Sequence, residues 1–402
     1  SLPLDVAGSA AAAYGLRNLS SSYTGNVVEV RRSIDDTTQN FKAAEITDGT
    51  LLAFTNADYA KYTSDFSSGN DSWGDTLDDC TAAGNVDGIG GLDDNLRLTI
   101  GSATSQHRLF RSYTFPVSQK INFSVRVFIP SSNSVVDSFR IEDASGTQII
   151  ASTTPAQDQW VTVTASNVTP TNNSGQLRLF LQDGGVSNFA GNGSDVLYLR
   201  EVVVTQVTSD GHVKTWYDQS GNSNNAAQAT AASQPKIVSA GAYLGEVDFG
   251  GTDDVLNFTS IDFSTNPWFA ASVFKYDNTA STIIGGGSTQ WITNVGSSTN
   301  YSARNTQDSN IHNFVSSSAF VNGSTNLVTV FRTGDTLSGS ANGNLDSTAS
   351  PVIESNDTFQ ADRLSLRGST YGTFSIKEVI IYNSDQSDKR RAIEESIATA
   401  NG

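Results

Sequence analysis

Short segments of alternating apolar and polar residues follow one another through the middle of the chain. Gly, Pro, Asn and Asp separate them, as in Pro130-Ser131-Ser132-Asn133. Such alternation is typical of half-buried β-strands, and the separating residues are typical of turns. Eight segments at this spacing predict a jelly roll: Leu96–Ile100, Leu109–Phe115, Ile121–Ile129, Ser138–Glu142, Gln148–Ser152, Trp160–Ala165, Gln176–Leu181 and Val196–Gln206.

The flanking parts of the chain are predicted to be mostly strands too. Helical patterns are short: residues 8–19, Thr50–Phe54, and a closing helix with Ile393 and Ile397 on one face. Predicted strands are Val27–Arg32, Tyr243–Phe249, Val255–Phe258, Trp268–Tyr276, Ser281–Gly285, Gln290–Asn294, Ile311–Val315, Asn326–Thr333, Asp335–Ala341, Arg363–Arg367 and Gly372–Tyr382. A chain of 402 residues suits two or three compact domains, so we expect an all-β protein of more than one domain.

Composition excludes several classes of function. The net charge of −17 argues against nucleic acid or an anionic membrane as partner, because both would be repelled. Cys80 is the only cysteine, which rules out an intrachain disulfide and cysteine-based zinc sites. No apolar run is long enough for a membrane span and no signal peptide is visible. We therefore expect no cofactor beyond a possible structural ion, and no membrane insertion.

Two blocks of sequence carry a family resemblance. Residues 14–39 begin Tyr-Gly-Leu-Arg-Asn-Leu, and residues 213–225 read Val-Lys-Thr-Trp-Tyr-Asp-Gln-Ser-Gly-Asn-Ser-Asn-Asn, followed by Gln-Pro-Lys-Ile-Val at 234–238. Together they resemble the start of the catalytic β-sandwich of fungal α-L-arabinofuranosidase B, an opening that also occurs in structural proteins of tailed phages. In that family the blocks lie much closer together, so the resemblance implies an insertion between them.

The predicted architecture is a concanavalin A-like, or LamG-type, β-sandwich with an inserted jelly-roll domain. Residues 1–56 and 211–402 would form the sandwich, and residues 57–210 the inserted domain. The strands Gln159–Val163 and Val196–Val204 resemble those of carbohydrate-binding-module jelly rolls. The first and last strands of a jelly roll lie side by side, which allows insertion into a host loop with little distortion.

The carboxylates that the resemblance requires for hydrolysis are not found at the matching positions. The family acid/base belongs where this chain has Leu366–Thr370, which holds no acid. The family nucleophile belongs within Trp291–Phe314, where Asp308 is the only acid. Glu378 matches a family position that has no catalytic role. An enzyme would need replacement acids, and Asp308 with Asp362 or Glu378 is the set to consider.

These observations predict a non-enzymatic structural protein of a phage virion, either a head decoration or fibre protein or a tail-associated receptor-binding protein. Its partners would be other virion proteins or cell-surface glycan, and its state a homo-oligomer on the virion surface. Two alternatives remain open. One is a secreted arabinofuranosidase-like glycoside hydrolase whose inserted domain binds carbohydrate, and the other is a bacterial surface adhesin.

Candidate ligand-binding residues fall into two groups. Trp216, Tyr217, Asp218 and Gln219 have the aromatic, carboxylate and amide groups that sugars require. A rigid corner with Trp216 packed inward is the favoured interpretation, because turn chemistry alone explains every residue type. In the inserted domain, Trp73 and Phe189 lie in polar stretches that predict loops open to a ligand. Trp160 and Tyr198 lie within strand patterns and are predicted to be core.

Aspartates concentrate around Cys80. Carboxylate oxygens suit Ca²⁺, so a structural calcium site is a hypothesis for this region. The alternative is a solvated acidic loop. The candidate ligands are Asp78, Asp79, Asp87, Asp93 and Asp94.

Overall fold

The computed structural model describes residues 1–56, 59–113, 119–171, 176–250, 252–264, 267–277, 280–286, 290–304, 311–334, 336–348 and 360–401. The helices are α1 Pro3–Ala7, α2 Ala43–Thr47, α3 Thr50–Thr55 and α4 Arg390–Asn401, with a 3₁₀ turn at Ala231–Ser233. The first strands are β1 Ala12–Gly15, β2 Val28–Arg32 and β3 Thr38–Phe41. The middle strands are β4 Tyr59–Ser64, β5 Trp73–Asp78, β6 Cys80–Val86, β7 Asn95–Ile100, β8 Thr104–Gln106, β9 Arg108–Ser112, β10 Ile121–Phe128, β11 Ser138–Asp143, β12 Gln148–Thr153, β13 Val161–Val168, β14 Gln176–Gln182, β15 Asn188–Ala190 and β16 Val196–Gln206.

The remaining strands follow to the closing helix. They are β17 Gly211–Trp216, β18 Ala226–Ala227, β19 Lys236–Ser239, β20 Ala242–Gly250, β21 Leu256–Asp262, β22 Trp268–Lys275, β23 Ser281–Gly285, β24 Trp291–Val295, β25 Asn300–Arg304, β26 Ile311–Val315, β27 Thr325–Thr333, β28 Thr336–Ala341, β29 Asn344–Thr348, β30 Gln360–Leu364, β31 Leu366–Arg367, β32 Thr370–Tyr371 and β33 Thr373–Tyr382. The chain is all-β and built from layered sheets, as the sequence predicts. No helix in the described part of the chain is long and apolar enough to cross a membrane.

The chain divides into two compact units. One is formed by Ser1–Thr55 together with Asp210–Gly402, and we call it the host unit. The other is Asn56–Ser209, which we call the inserted unit. Each unit has its own buried apolar cluster.

Two antiparallel sheets enclose the core of the inserted unit. One has the strand order β13-β10-β16-β7-β6, with β4 paired to β16, and the other has the order β12-β11-β14-β9-β5. Strand β10 alternates strictly between buried and half-buried residues, so one of its faces packs into the core and the other turns outward. The first strand lies beside the last, with Tyr59 opposite Gln206. This unit is therefore a two-sheet jelly roll.

Three runs of antiparallel pairing build the host unit. They follow the orders β1-β33-β22-β27-β28-β29, β3-β2-β17-β19-β20-β33 and β21-β30-β23-β24-β25-β26-β29. The main core lies inside these strands. A second apolar layer lies against the opposite face of β22, β27 and β33, where Ile393 and Ile397 of α4 pack. Strand β22 is buried at nearly every position because both of its faces are covered.

The helix predicted for residues 8–19 is wrong, whereas the predicted helices at α3 and α4 are confirmed. Residues 12–15 form β1, which pairs with β33 from Ala12 opposite Ile381 to Gly15 opposite Glu378. All four residues of β1 are buried. Alanine favours a helix in isolation, but here the small side chains let β1 lie between two apolar layers, and this packing outweighs the weak local preference.

Candidate functional site

The Trp216–Gln219 segment forms a rigid corner of the host unit. The Asp218 carboxylate accepts hydrogen bonds from the backbone N–H of Ala13 at 2.8 Å, of Ser220 at 2.9 Å and of Asn224 at 3.0 Å. The Gln219 side chain accepts from Leu19 N–H at 2.8 Å and donates to the carbonyl oxygens of Gly15 and Arg17. These bonds tie the corner to the N-terminal segment of the chain.

The side chains of this corner have little surface left for a ligand. Trp216 is fully buried in the main core, and Asp218 and Gln219 are buried as well. Tyr217 is half-buried, and its hydroxyl donates to Asn40 Oδ1 at 2.7 Å. The structure thus shows the arrangement expected of a rigid corner rather than of an open binding surface.

Trp73 is not in a loop, which corrects the sequence prediction. It is the first residue of β5, lies opposite Arg111 of β9, and is fully buried in the core of the inserted unit. The preceding turn is held by Asp71, whose carboxylate accepts from the Ser64 hydroxyl at 2.6 Å and from the Phe66 N–H at 3.0 Å. This turn directs the indole inward, and sequence polarity alone did not reveal it.

Phe189 is also buried, contrary to the expectation of an open loop. It lies on β15, which pairs with β8, and its ring packs on the His107 imidazole with ring centroids 4.5 Å apart. His107 Nδ1 lies 2.8 Å from the Asp79 carbonyl oxygen, and the Asp79 carboxylate accepts from Ala103 N–H at 3.0 Å. Phe189 and Asp79 therefore hold this end of the inserted unit together.

The five candidate calcium ligands lie at two ends of one hairpin. Asp78 and Asp79 precede β6, and Asp78 pairs with Arg108. Asp87, Asp93 and Asp94 lie in the loop between β6 and β7, where Asp93 accepts from the Gly88 N–H at 3.0 Å. The seven-residue strand β6 separates the two ends by about 20 Å. Within the described ranges no cluster of three His, Cys, Asp or Glu side chains could hold a metal ion, and calcium stays a prediction.

The family resemblance implies catalytic acids within Leu366–Thr370 and Trp291–Phe314. These two stretches meet in the host unit, but the side chains that they bring together are arginines. Arg304 and Arg367 both contact Trp291. Asp362 is paired with Arg363 through two hydrogen bonds. Asp308 lies outside the described residues.

Glu378 forms a buried ion pair. Its side chain is 2% exposed and accepts from Arg17 Nε at 3.0 Å, Arg17 Nη2 at 3.1 Å and Asn401 Nδ2 at 3.2 Å. Burial raises the pKa of the Glu378 carboxyl, while the charge of Arg17 acts in the opposite direction. Since both carboxylate oxygens are used by neighbouring side chains, Glu378 acts as a structural link between β33, Arg17 and α4.

Replacing Arg17 with alanine should destabilise the host unit by about 3 to 5 kcal/mol at pH 8, because a buried carboxylate is left without its cation. Loss of Arg17 raises the pKa of Glu378 further, because the cation that lowered it is gone. Protonation of the Glu378 carboxyl then stabilises the folded state of the variant. The penalty should therefore be smallest at pH 4.5 or below and grow as the pH rises through the folded-state pKa.

Urea unfolding of the wild type and the R17A variant at pH 5 and pH 8 measures this difference. The double variant R17A/E378Q should recover much of the lost stability, because the uncompensated charge is gone. A destabilisation that is equal at both pH values, or that Glu378→Gln does not relieve, would contradict the assignment.

An outward face of the inserted unit carries three aromatic rings that sequence analysis did not bring together. Phe128 of β10 lies opposite Tyr198 of β16, with ring centroids 6.1 Å apart. Trp160, directly before β13, has its ring 5.6 Å from that of Phe128. All three rings are half-buried, so the prediction that Trp160 and Tyr198 are core is wrong.

Two arginines flank these rings. Arg126 and Arg200 lie opposite each other on β10 and β16, and each guanidinium is 6.0 Å from the Trp160 ring centroid. The indole is held in place by a hydrogen bond from Trp160 Nε1 to the Ile89 carbonyl oxygen at 2.9 Å. We call Arg126, Phe128, Trp160, Tyr198 and Arg200 the aromatic face. It is rigid because four of its members stand on the paired strands β10 and β16, Trp160 is held by this hydrogen bond, and the members contact one another.

The aromatic face could have been found from the strand alternation. In β16, Leu197 and Leu199 are buried, so Tyr198 shares its side of the strand with Arg200. In β10, Phe128 shares its side with Arg126 in the same way. A charged residue two positions away on each strand was the signal that these aromatics face outward.

The chain matches no protein-family profile and no curated protein sequence. Among solved structures it is similar to an arabinofuranosidase complexed with arabinofuranosyl-α-1,2-xylobiose, with 12% identity, a TM-score of 0.44, and coverage of 100% of this chain and 65% of that one. It is also similar to the tandem CBM22 domains of Xyn10C from Paenibacillus barcinonensis, with 12% identity, a TM-score of 0.32, and coverage of 82% and 98%. The single CBM22-1 xylan-binding domain of that protein shows 17% identity, a TM-score of 0.30, and coverage of 38% and 97%.

Proposed function

We propose that this protein is a non-catalytic glycan-binding protein and that its aromatic face contacts the sugar. The observation that carries the proposal is the set of three half-buried rings on one rigid sheet surface. Sugar rings present apolar C–H faces that pack on aromatic rings, while the hydroxyl groups at their edges accept hydrogen bonds from arginine. Since the rings are already held in place, binding requires little ordering of side chains.

The charge of the aromatic face favours a neutral glycan. Glu201 lies 3.5 Å from Arg126 Nη1 and 3.0 Å from Arg200 Nη2, so part of the arginine charge is already compensated. The net charge of −17 opposes the approach of polyanions, most strongly at low salt. A neutral polysaccharide is not repelled by the net negative charge, and it does not depend on attraction by the arginines.

Replacing Trp160 with alanine should weaken binding to a neutral polysaccharide about tenfold, which corresponds to about 1.4 kcal/mol. The loss follows from removing the ring that contacts Phe128 and both arginines. Affinity electrophoresis in gels containing soluble neutral polysaccharides, xylan among them, measures the change, and Tyr198→Ala should act in the same direction. Tyr243, which is 37% exposed on β20 of the host unit, supplies the control variant Tyr243→Ala.

Single sites of this kind bind weakly, so we expect a multimerised form to bind better by effective concentration. Binding by the multimer that Trp160→Ala and Tyr198→Ala leave untouched would remove the aromatic face as the site. The proposed setting is the surface of a phage particle, where a homo-oligomer would display several copies. This setting rests on the resemblance of residues 14–39 and 213–225 alone.

A further inference from the structure

A buried tryptophan of the host unit is covered by two arginine side chains. The guanidinium of Arg367 lies 4.5 Å from the Trp291 ring centroid, and that of Arg304 lies 5.3 Å from it. Trp291 is 1% exposed, and its Nε1 donates to Ser302 Oγ at 3.1 Å. The indole therefore serves as a fixed support that orients both guanidinium groups by cation–π contact.

The local sequence brings the two arginines to this support. Trp291 of β24 has a direct cross-strand neighbour on each side. These neighbours are Arg304 on β25 and Gly285 on β23. A Cβ atom at Gly285 would lie 1.9 Å from the Leu366 carbonyl oxygen, so only glycine lets the β31–β32 hairpin approach β23 this closely. This close approach places Arg367, on the same hairpin, over the Trp291 ring.

Neither guanidinium has a partner of opposite charge among the residues that the structure describes. Within the described ranges no group forms a hydrogen bond or ion pair with the guanidinium of Arg304 or of Arg367, and Arg304 Nε is buried without an acceptor. The nearby Arg363 differs, because it forms two hydrogen bonds with Asp362. Burial and the like charge of Arg304 lower the pKa of Arg367. Two half-buried cations side by side are costly, because burial removes water from both charges and each repels the other.

We propose that Arg304 and Arg367 form an oxyanion-binding site on the host unit, which takes the carboxylate or sulfate group of a small ligand. The planar guanidinium fork matches such groups through paired N–H···O bonds, and an anion would supply the counter-charge that no described residue gives to Arg304 or Arg367. The surrounding negative charge disfavours long polyanions but acts weakly on a single small anion at ordinary salt. This site is on the host unit, so it goes beyond the proposed glycan binding by the inserted unit.

The experiment titrates the full chain with D-glucuronate, inorganic sulfate and neutral D-glucose at one fixed, ordinary ionic strength. Each titration is followed by thermal stabilisation and, for the sugars, by ligand-observed NMR. Glucuronate, sulfate or both should bind at least about tenfold more tightly than glucose. Binding should weaken about fivefold or more in each of Arg304→Gln and Arg367→Gln. Arg391→Gln is the matched control, because it removes the same charge from an exposed position on α4.

Arg367→Lys separates a general charge effect from the proposed geometry, because lysine keeps the charge but has no planar fork. This variant should bind more weakly than the wild type, and it carries the test if Arg304→Gln fails to fold. Binding of sulfate alone would assign the site to free inorganic anions, and binding of glucuronate would assign it to sugar acids. No preference for either anion over glucose, or an equal loss in Arg391→Gln, would overturn the proposal.

Discussion

Replacing Asp218 with alanine should lower the free energy of unfolding of the host unit by about 3 kcal/mol or more. The buried carboxylate accepts three backbone N–H groups, from Ala13, Ser220 and Asn224, and the alanine variant leaves these donors without their acceptor. A loss of this size lowers Tm by about 6 to 12 °C in a unit of this length. Thermal and urea unfolding measure both quantities.

Asp388→Ala is the matched control for this substitution. Asp388 is exposed near the start of α4, so its removal should change stability by no more than about 0.5 kcal/mol. Asp218→Asn should give an intermediate loss, because the amide keeps one acceptor oxygen but presents an N–H group to a backbone donor. Equal stability of the two alanine variants would show that the corner does not anchor the N-terminal segment.

Removing Asn56–Ser209 and joining Thr55 to Asp210 through a short Gly/Ser linker should leave a host unit that unfolds cooperatively. The two ends to be joined are close, since a Cβ atom at Gly211 would lie 3.0 Å from Thr55 Cγ2. The Ser33 N–H donates to the Asp210 carbonyl oxygen at 2.9 Å, which holds the returning chain on the host unit. None of the described residues of the removed segment belongs to the main core of the host unit.

Differential scanning calorimetry of the shortened chain tests this expectation, and the excised segment, expressed alone, is the companion protein. The pairing of Tyr59 with Gln206 brings the ends of the inserted unit together, so we expect that segment to fold as well. A shortened chain that shows no cooperative transition would count against the insertion architecture. A transition that persists but occurs at a much lower temperature would mean that the inserted segment stabilises the host.

The local sequence pattern was sufficient to predict those strands and turns whose conformation depends on residues close together along the chain. The alternation of Ile121–Phe128 correctly predicted a strand with one buried face, and the Trp216–Asn222 stretch correctly suggested a corner with Trp216 inside. The all-β class followed from the same signals. Each depends on residue types within a few positions, because a strand places alternate side chains on opposite faces and a turn needs particular side chains.

Long-range contacts decided what the pattern left open. Trp73 looked like a loop residue, yet pairing of β5 with β9 buries it, and the alanines before Tyr14 became a strand because β33 lies beside them. Trp160, Phe128 and Tyr198 meet only when β13, β10 and β16 align. Arg304 and Arg367 meet only over Trp291. The sequence by itself determined the strands and their turns, whereas tertiary structure decided which faces were covered, because burial depends on partners that are distant along the chain.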